Sequence, residues 1–222
     1  MCGRFALTAD SADLQDVFPE FSFPTQAAPR FNIAPSQPIL AVPNDGKKKA
    51  DFFVWGLVPS WAKDPTIGAR MINARAETLA EKPAFRGAYK YHRCVIFADG
   101  FFEWQPQPGS KSKVPHFIHL KSGRPFAFAG LWDRWQSPDG SEILSATIIT
   151  TEPNELMSSI HNRMPVILSK DAYAQWLDPA PQPTSRFENL LGPYPAAEME
   201  AFPVSTLVNS PANDRPETIQ PA

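Results

Sequence analysis

Two cysteines in 222 residues, Cys2 and Cys94, are too few and too far apart for a disulfide framework or a metal-ligand cluster. No window approaches the roughly 18 consecutive apolar residues of a membrane span. The amino terminus also lacks the charged start and apolar stretch of a secretory leader, so export is not expected and the cytosol is the default compartment. Charge is nearly balanced: 21 Lys and Arg against 23 Asp and Glu leave a net −2, which excludes broad electrostatic attraction to nucleic acid. Any DNA contact must come from a local cluster. No repeat recurs, and no linker-like stretch divides the chain. The 25 prolines are spread out, as punctuation between short strands. With 43% apolar and 12% aromatic residues there is ample material for one core, and a single domain over 1–222 is expected, with a polar tail from about residue 210.

What is present begins at Met1-Cys2-Gly3-Arg4-Phe5. Methionine removal is favoured before a small second residue, and it would leave Cys2 with a free α-amine and a thiol on adjacent carbons. An α-amine has a reference pKa of about 7.7–8.0, against about 10.4 for lysine, so a useful fraction is nucleophilic near neutral pH. An aldehyde is its natural target: the amine forms a Schiff base and the neighbouring thiol closes a five-membered thiazolidine, an intramolecular second step. The alternative is an inert residue on a frayed terminus. Cys94 lies in the apolar run Cys94-Val95-Ile96-Phe97 and reads as a packed core thiol.

Thr8 to Phe18 reads as a first helix, capped by Thr8 or Asp10 and packed through Leu14, Val17 and Phe18. Phe31 to Ser36 reads as an extended turn, and Pro38–Val42 with Asp51–Trp55 as a hairpin across Asn44-Asp45-Gly46. The loop Trp55-Gly56-Leu57-Val58-Pro59-Ser60-Trp61 either packs over the core or stacks on bases. Met71 to Glu77 alternates, so a strand puts Asn73, Arg75 and Glu77 on one face and Ile72, Ala74 and Ala76 on the other. A helix opened by Pro83 leads to one strand over Val95–Trp104, in which Phe97, Asp99, Phe101 and Glu103 share a face. A carboxylate among phenylalanines suits a general acid or base through a raised pKa; a structural pairing with an arginine suits it equally.

Further strands are expected at Pro115–Leu120, Phe126–Trp132, Leu144–Thr151, Val166–Leu168 and Val204–Val208. Thr150-Thr151 is expected to cap a helix at Pro153–Met157, and Ser169 one ending near Trp176-Leu177. His161, beside Arg163 in a loop before a buried strand, is either a structural histidine or a functional one.

Six blocks taken together, Met1–Phe5, Phe31–Pro35, Trp55–Trp61, Ile72–Glu77, Ala98–Trp104 and Ile160–Pro165, closely resemble the SOS-response-associated peptidase (SRAP) family, in family order and over nearly the whole chain. The resemblance implies an α+β fold, one β-rich domain whose antiparallel strands form a barrel-like sheet flanked by short helices. It implies a protein that shields abasic sites in single-stranded DNA by covalent capture, with no metal and no cofactor. By the same resemblance Cys2 takes the crosslinking role, Asn73 orients the sugar or the Cys2 amine, Glu103 shuttles protons, and His161 moves a proton at the sugar oxygen. Arg4, Arg75 and Arg163 fit phosphate contacts, and Trp61, Pro35 and Thr150 join them as DNA-binding candidates.

Single-stranded DNA is the expected partner of a monomer. A replication clamp, which the long vertebrate extension of the family recruits, is not an expected partner. Strand cleavage by β-elimination and reversal of the crosslink are possible side activities. Two rival readings remain open: an N-terminal-nucleophile cysteine peptidase or amidohydrolase, in the narrow case one that removes Met1, and a non-catalytic reader of modified cytosine in which Cys2 is incidental.

Overall fold

The computed structural model describes residues 2–25 and 27–222. In chain order its strands are β1 (Phe5–Leu7), β2 (Arg30–Ile33), β3 (Pro38–Pro43), β4 (Asp51–Trp55), β5 (Asn73–Arg75), β6 (Arg93–Ala98), β7 (Gly100–Pro106), β8 (Lys113–Leu120), β9 (Phe126–Gln136), β10 (Glu142–Thr151), β11 (Met164–Pro165), β12 (Ile167–Leu168) and β13 (Met199–Pro203). The helices are short: α1 (Ser11–Val17), α2 (Arg86–Tyr91), α3 (Glu155–Ser158) and α4 (Tyr173–Trp176), with several 3-10 turns. The fold is α+β and mostly strand, as expected.

Five strands close on themselves. β4 pairs with β3, β3 with β6, β6 with β9, β9 with β10, and β10 returns to β4, so the ring has no free edge at those strands. The barrel-like sheet is therefore present, but not wholly antiparallel. β10 runs parallel to β4 (Ser145 opposite Val54) and, further along the same edge, parallel to β5 (Ile148 opposite Asn73). A parallel partner needs a long return path, and the chain between β5 and β10 supplies it by running through four other strands.

A second, antiparallel sheet in the order β13, β8, β7, β1, β2 packs against the barrel. Phe5 of β1 carries its ring into the shared core, edge-on to Trp55 at 5.1 Å and to Phe128 at 5.8 Å. Cys94 is fully buried in that core. No helix among the described residues is long and apolar enough to cross a membrane.

Several elements differ from their sequence-based expectation. The run Val95–Trp104 is two strands in two sheets, broken at Asp99. Asp99 Oδ2 accepts from the Thr8 amide and hydroxyl and from the Ala9 amide, tying the bend to the end of β1. Next to it, Gly100 lies so close to β8 that a Cβ there would sit 2.3 Å from the Phe117 ring. Phe31 to Ile33 belong to β2, and only Ala34–Gln37 turns. β5 is three residues long, because Ala76–Thr78 coils into a 3-10 turn.

α1 starts at Ser11 under an Asp10–Asp13 capping box, and α2 begins at Arg86 rather than at Pro83. Asn154, not Thr150 or Thr151, caps α3, and Ser169 makes no side-chain cap bond. The last strand is β13; Val204–Val208 leaves the sheet because Ser205 Oγ accepts the Leu207 amide and starts a 3-10 turn. In the Trp55–Trp61 loop, Trp55 is fully buried in the core and Trp61 is 61% exposed. Gly56 permits this at φ +130, where a Cβ would meet the Gly68 carbonyl at 2.4 Å.

Candidate active site

Cys2 sits at the seam between barrel and second sheet. In β1, Phe5 is opposite Phe101 of β7, and carrying that antiparallel register two residues outward sets Gly3 opposite Glu103. The Phe102 amide donates to the Arg4 carbonyl at 2.9 Å, which holds the outward extension against β7. From the barrel side, Asn73 Nδ2 donates to the Cys2 carbonyl at 2.7 Å. Two sheets thus grip the same residue from opposite sides, and Cys2 is completely buried. Burial pushes its thiol well above the ordinary cysteine range, and the nearby Glu103 adds to this. A thiol, rather than a thiolate, is the resting species.

Glu103 is 3% exposed, and burial raises its pKa, so it holds its proton to higher pH than a surface glutamate. His161 Nε2 stands 3.9 Å from Glu103 Oε2. The loop carrying it is docked on β7 by Gln105 Nε2, which donates to the Ser159 carbonyl. Burial depresses the pKa of His161, so the ring is neutral near pH 7. Its Nδ1 lies 3.1 Å from the Arg163 amide and 3.3 Å from the Arg163 carbonyl, and its Nε2 faces Glu103. A protonatable carboxyl, a neutral imidazole and an amide therefore converge on one buried cysteine.

The three arginines divide. Arg75 is exposed, at the end of β5 and opposite Thr150. Arg4 is turned inward, donating to Asn32 Oδ1 at 2.8 Å and to the Val208 carbonyl at 2.7 Å, with its guanidinium 6.0 Å from the Trp104 ring. Arg163 is gripped end-on by Glu77, at 2.6 and 2.9 Å, and donates to the Thr150 carbonyl. Thr150 itself is buried. Pro35 is half-buried in a turn joined to the Trp61 loop by the Ser36 amide, which donates to the Trp55 carbonyl at 2.8 Å. Trp61 stands on a loop fixed by Asp133, which accepts from the Ser60 amide.

Sequence reading missed Asn32 and the carboxy-terminal stretch. Asn32 is fully buried and donates to the carbonyls of Val208, Ser210 and Asn213. Asp214 accepts from the Phe31 and Asn32 amides and pairs with Arg30. The polar stretch beyond residue 210 is thereby bound along β2, where its polar groups satisfy the strand's outer edge. Strand alternation puts Asn32 on the face opposite Phe31 and Ile33, so no local signal announces its burial. Among the described residues, no group of three or more His, Cys, Asp or Glu is placed to hold a metal.

Known proteins resemble this chain in sequence and in fold. The family model described as SOS response associated peptidase (SRAP) matches residues 1–211. The chain is 48% identical to the abasic site processing protein YoqW of Bacillus subtilis, over 99% of both chains. It is 36% identical to the abasic site processing protein HMCES of Gallus gallus, over all of this chain and 78% of that one. The crystal structure of a Bacteroides thetaiotaomicron protein superposes on the whole of both chains with a TM-score of 0.88 at 28% identity.

Proposed function

The chain belongs to the SOS response associated peptidase (SRAP) family, and from that membership we propose that it processes abasic sites in single-stranded DNA by covalent capture through Cys2, once Met1 has been removed. The observation that carries this reading is the 2.7 Å hydrogen bond from Asn73 to the Cys2 carbonyl beside the buried Glu103 carboxyl. A cysteine of purely structural use needs no such company.

The chemistry follows from the protonation states. The neutral Cys2 amine attacks C1′ of the ring-opened sugar, and the resulting hydroxyl leaves as water when the Glu103 carboxyl donates its proton. The Cys2 thiol then adds to the C=N carbon, forming the C–S bond. Its proton passes to the Glu103 carboxylate, which ends as it began. The net change is loss of one water. Because burial keeps the Cys2 sulfur protonated, a base is required at the addition step, and Glu103 is that base only after it has acted as the acid. His161, its Nε2 facing Glu103, serves ring opening by moving a proton at the sugar oxygen. Asn73 holds the Cys2 backbone so that amine and thiol meet the same carbon. An open Schiff base acidifies C2′ and permits β-elimination; ring closure removes that route.

The test mixes the purified protein, its amino terminus verified by mass spectrometry, with a single-stranded oligonucleotide bearing one abasic site, and resolves the products on a denaturing gel. A shifted band is expected that Cys2→Ala abolishes. Cys2→Ser keeps the amine but not the thiol, and should replace the stable adduct with strand cleavage. A mature Cys2 terminus that gives no shifted band refutes covalent capture, and DNA binding unaffected by Cys2→Ala in that case favours the non-catalytic reader.

A further inference from the structure

Arg163 cannot meet a phosphate as it stands. Its two terminal nitrogens are both engaged by Glu77, at 2.6 and 2.9 Å, and one of them also reaches the Thr150 carbonyl at 2.7 Å. Its Nε is buried with no hydrogen-bond partner among the described residues. Exposure orders the pair: the Arg163 side chain is 14% exposed and that of Glu77 51%, so the carboxylate stands between the guanidinium and solvent. The pair also lies on the route away from Cys2. Asn73 touches Cys2, Arg75 follows two residues on, about 7 Å along the strand, and Glu77 comes next at the start of the 3-10 turn.

The geometry points to Glu77 as a stand-in for a DNA phosphate, which occupies the fork of Arg163 in the free protein and is displaced when a strand docks over the site. This rests on the DNA-binding reading above. A planar guanidinium takes carboxylate and phosphate oxygens through the same two-donor fork, so the two anions compete for one seat. The pairing holds the Glu77 carboxyl below the usual carboxylate range, and it stays ionised at neutral pH. At this position the free protein therefore offers a neutral pair, beside the exposed Arg75. Glu77 would thus act as a specificity-determining residue, lowering affinity for strands that do not seat firmly enough to displace it.

The test measures fluorescence anisotropy of a labelled single-stranded oligonucleotide carrying a tetrahydrofuran abasic analogue, which has no aldehyde and cannot crosslink. Glu77→Gln keeps the shape and one acceptor while removing the charge. It is expected to bind about three- to ten-fold more tightly near 0.1 M salt, with a log–log salt dependence steeper by about 0.7, the increment of one added phosphate contact on a single strand. In an Arg163→Gln background the same change should give no gain. Wild-type binding with an equal or weaker Glu77→Gln variant overturns the stand-in and leaves the DNA-binding reading intact, as does a gain that survives Arg163→Gln. Absence of binding by both proteins overturns both.

Discussion

Replacing Asn32 with alanine probes how the carboxy-terminal stretch and the Cys2 strand are held together. In the native protein Asn32 Oδ1 accepts from Arg4 at 2.8 Å, while its Nδ2 serves three carbonyls at 2.8, 3.0 and 3.3 Å. An amide nitrogen has two hydrogens, so the longest contact is a shared one. The substitution removes two neutral hydrogen bonds of about 1 kcal/mol each and one charge-assisted bond of about 1.5–3 kcal/mol, and leaves the carbonyls buried without that donor. Arg4 keeps its bond to the Val208 carbonyl, which offsets part of the loss. A net destabilisation of roughly 3–4 kcal/mol follows. For a domain of this size each kcal/mol moves Tm by about 2–4 °C, so a fall on the order of 10 °C is expected. Thermal unfolding at fixed pH and salt reads it. Because Arg4 lies two residues from Cys2, capture should also slow below the transition, with residues beyond 205 gaining protease sensitivity. A folded variant whose Tm falls by less than about 2 °C, with normal protease resistance, would refute the idea that Asn32 clasps the two ends of the chain.

Glu103→Gln separates stability from chemistry. The folded-state pKa of Glu103 is raised, so wild-type stability is complete below the ordinary glutamate value of about 4.3 and is lost as pH rises through the raised value. The glutamine variant escapes that loss: its Tm should match wild type near pH 4 and exceed it at neutral pH, while capture slows by about 10²-fold or more. A Tm difference independent of pH would count against the buried-carboxyl account. His161 contributes with the opposite slope, since its depressed pKa costs stability as pH falls below about 6.5. Trp61→Ala should leave Tm within about 1 °C, because the ring is 61% exposed, yet weaken binding of the tetrahydrofuran oligonucleotide by about 1–3 kcal/mol if the ring stacks on a base. Unchanged affinity would remove Trp61 from the DNA surface.

Strand positions were legible wherever the pattern was local. Pro38–Pro43, Asp51–Trp55 and Glu142–Thr151 lie close to where alternation and apolar runs put them. The alternation of Asn73, Ala74 and Arg75 likewise survives, with Ala74 buried and Arg75 exposed, although the strand is shorter than the pattern. Where a distant partner decided the outcome, local reading failed. The run Val95–Trp104 looks continuous because its bend is imposed by Thr8 and Ala9, some ninety residues earlier. The stretch beyond residue 210 looks like a tail because the carbonyls it presents to Asn32, and Asp214 itself, carry no apolar signature.

By itself the sequence determined the chemistry on offer: a cysteine in second place, a carboxylate among phenylalanines, a histidine in a loop, and enough apolar residues for one core. Side-chain identity and short-range periodicity are local properties and are written along the chain. Only the tertiary structure decided which of these meet and in what protonation state. Asn73 reaches Cys2 across 71 residues of chain, Glu103 is desolvated by two sheets closing over it, and Arg163 is matched with Glu77 instead of being left open to solvent. Distance and dielectric depend on how distant segments pack, and neither can be read from the order of residues along a strand.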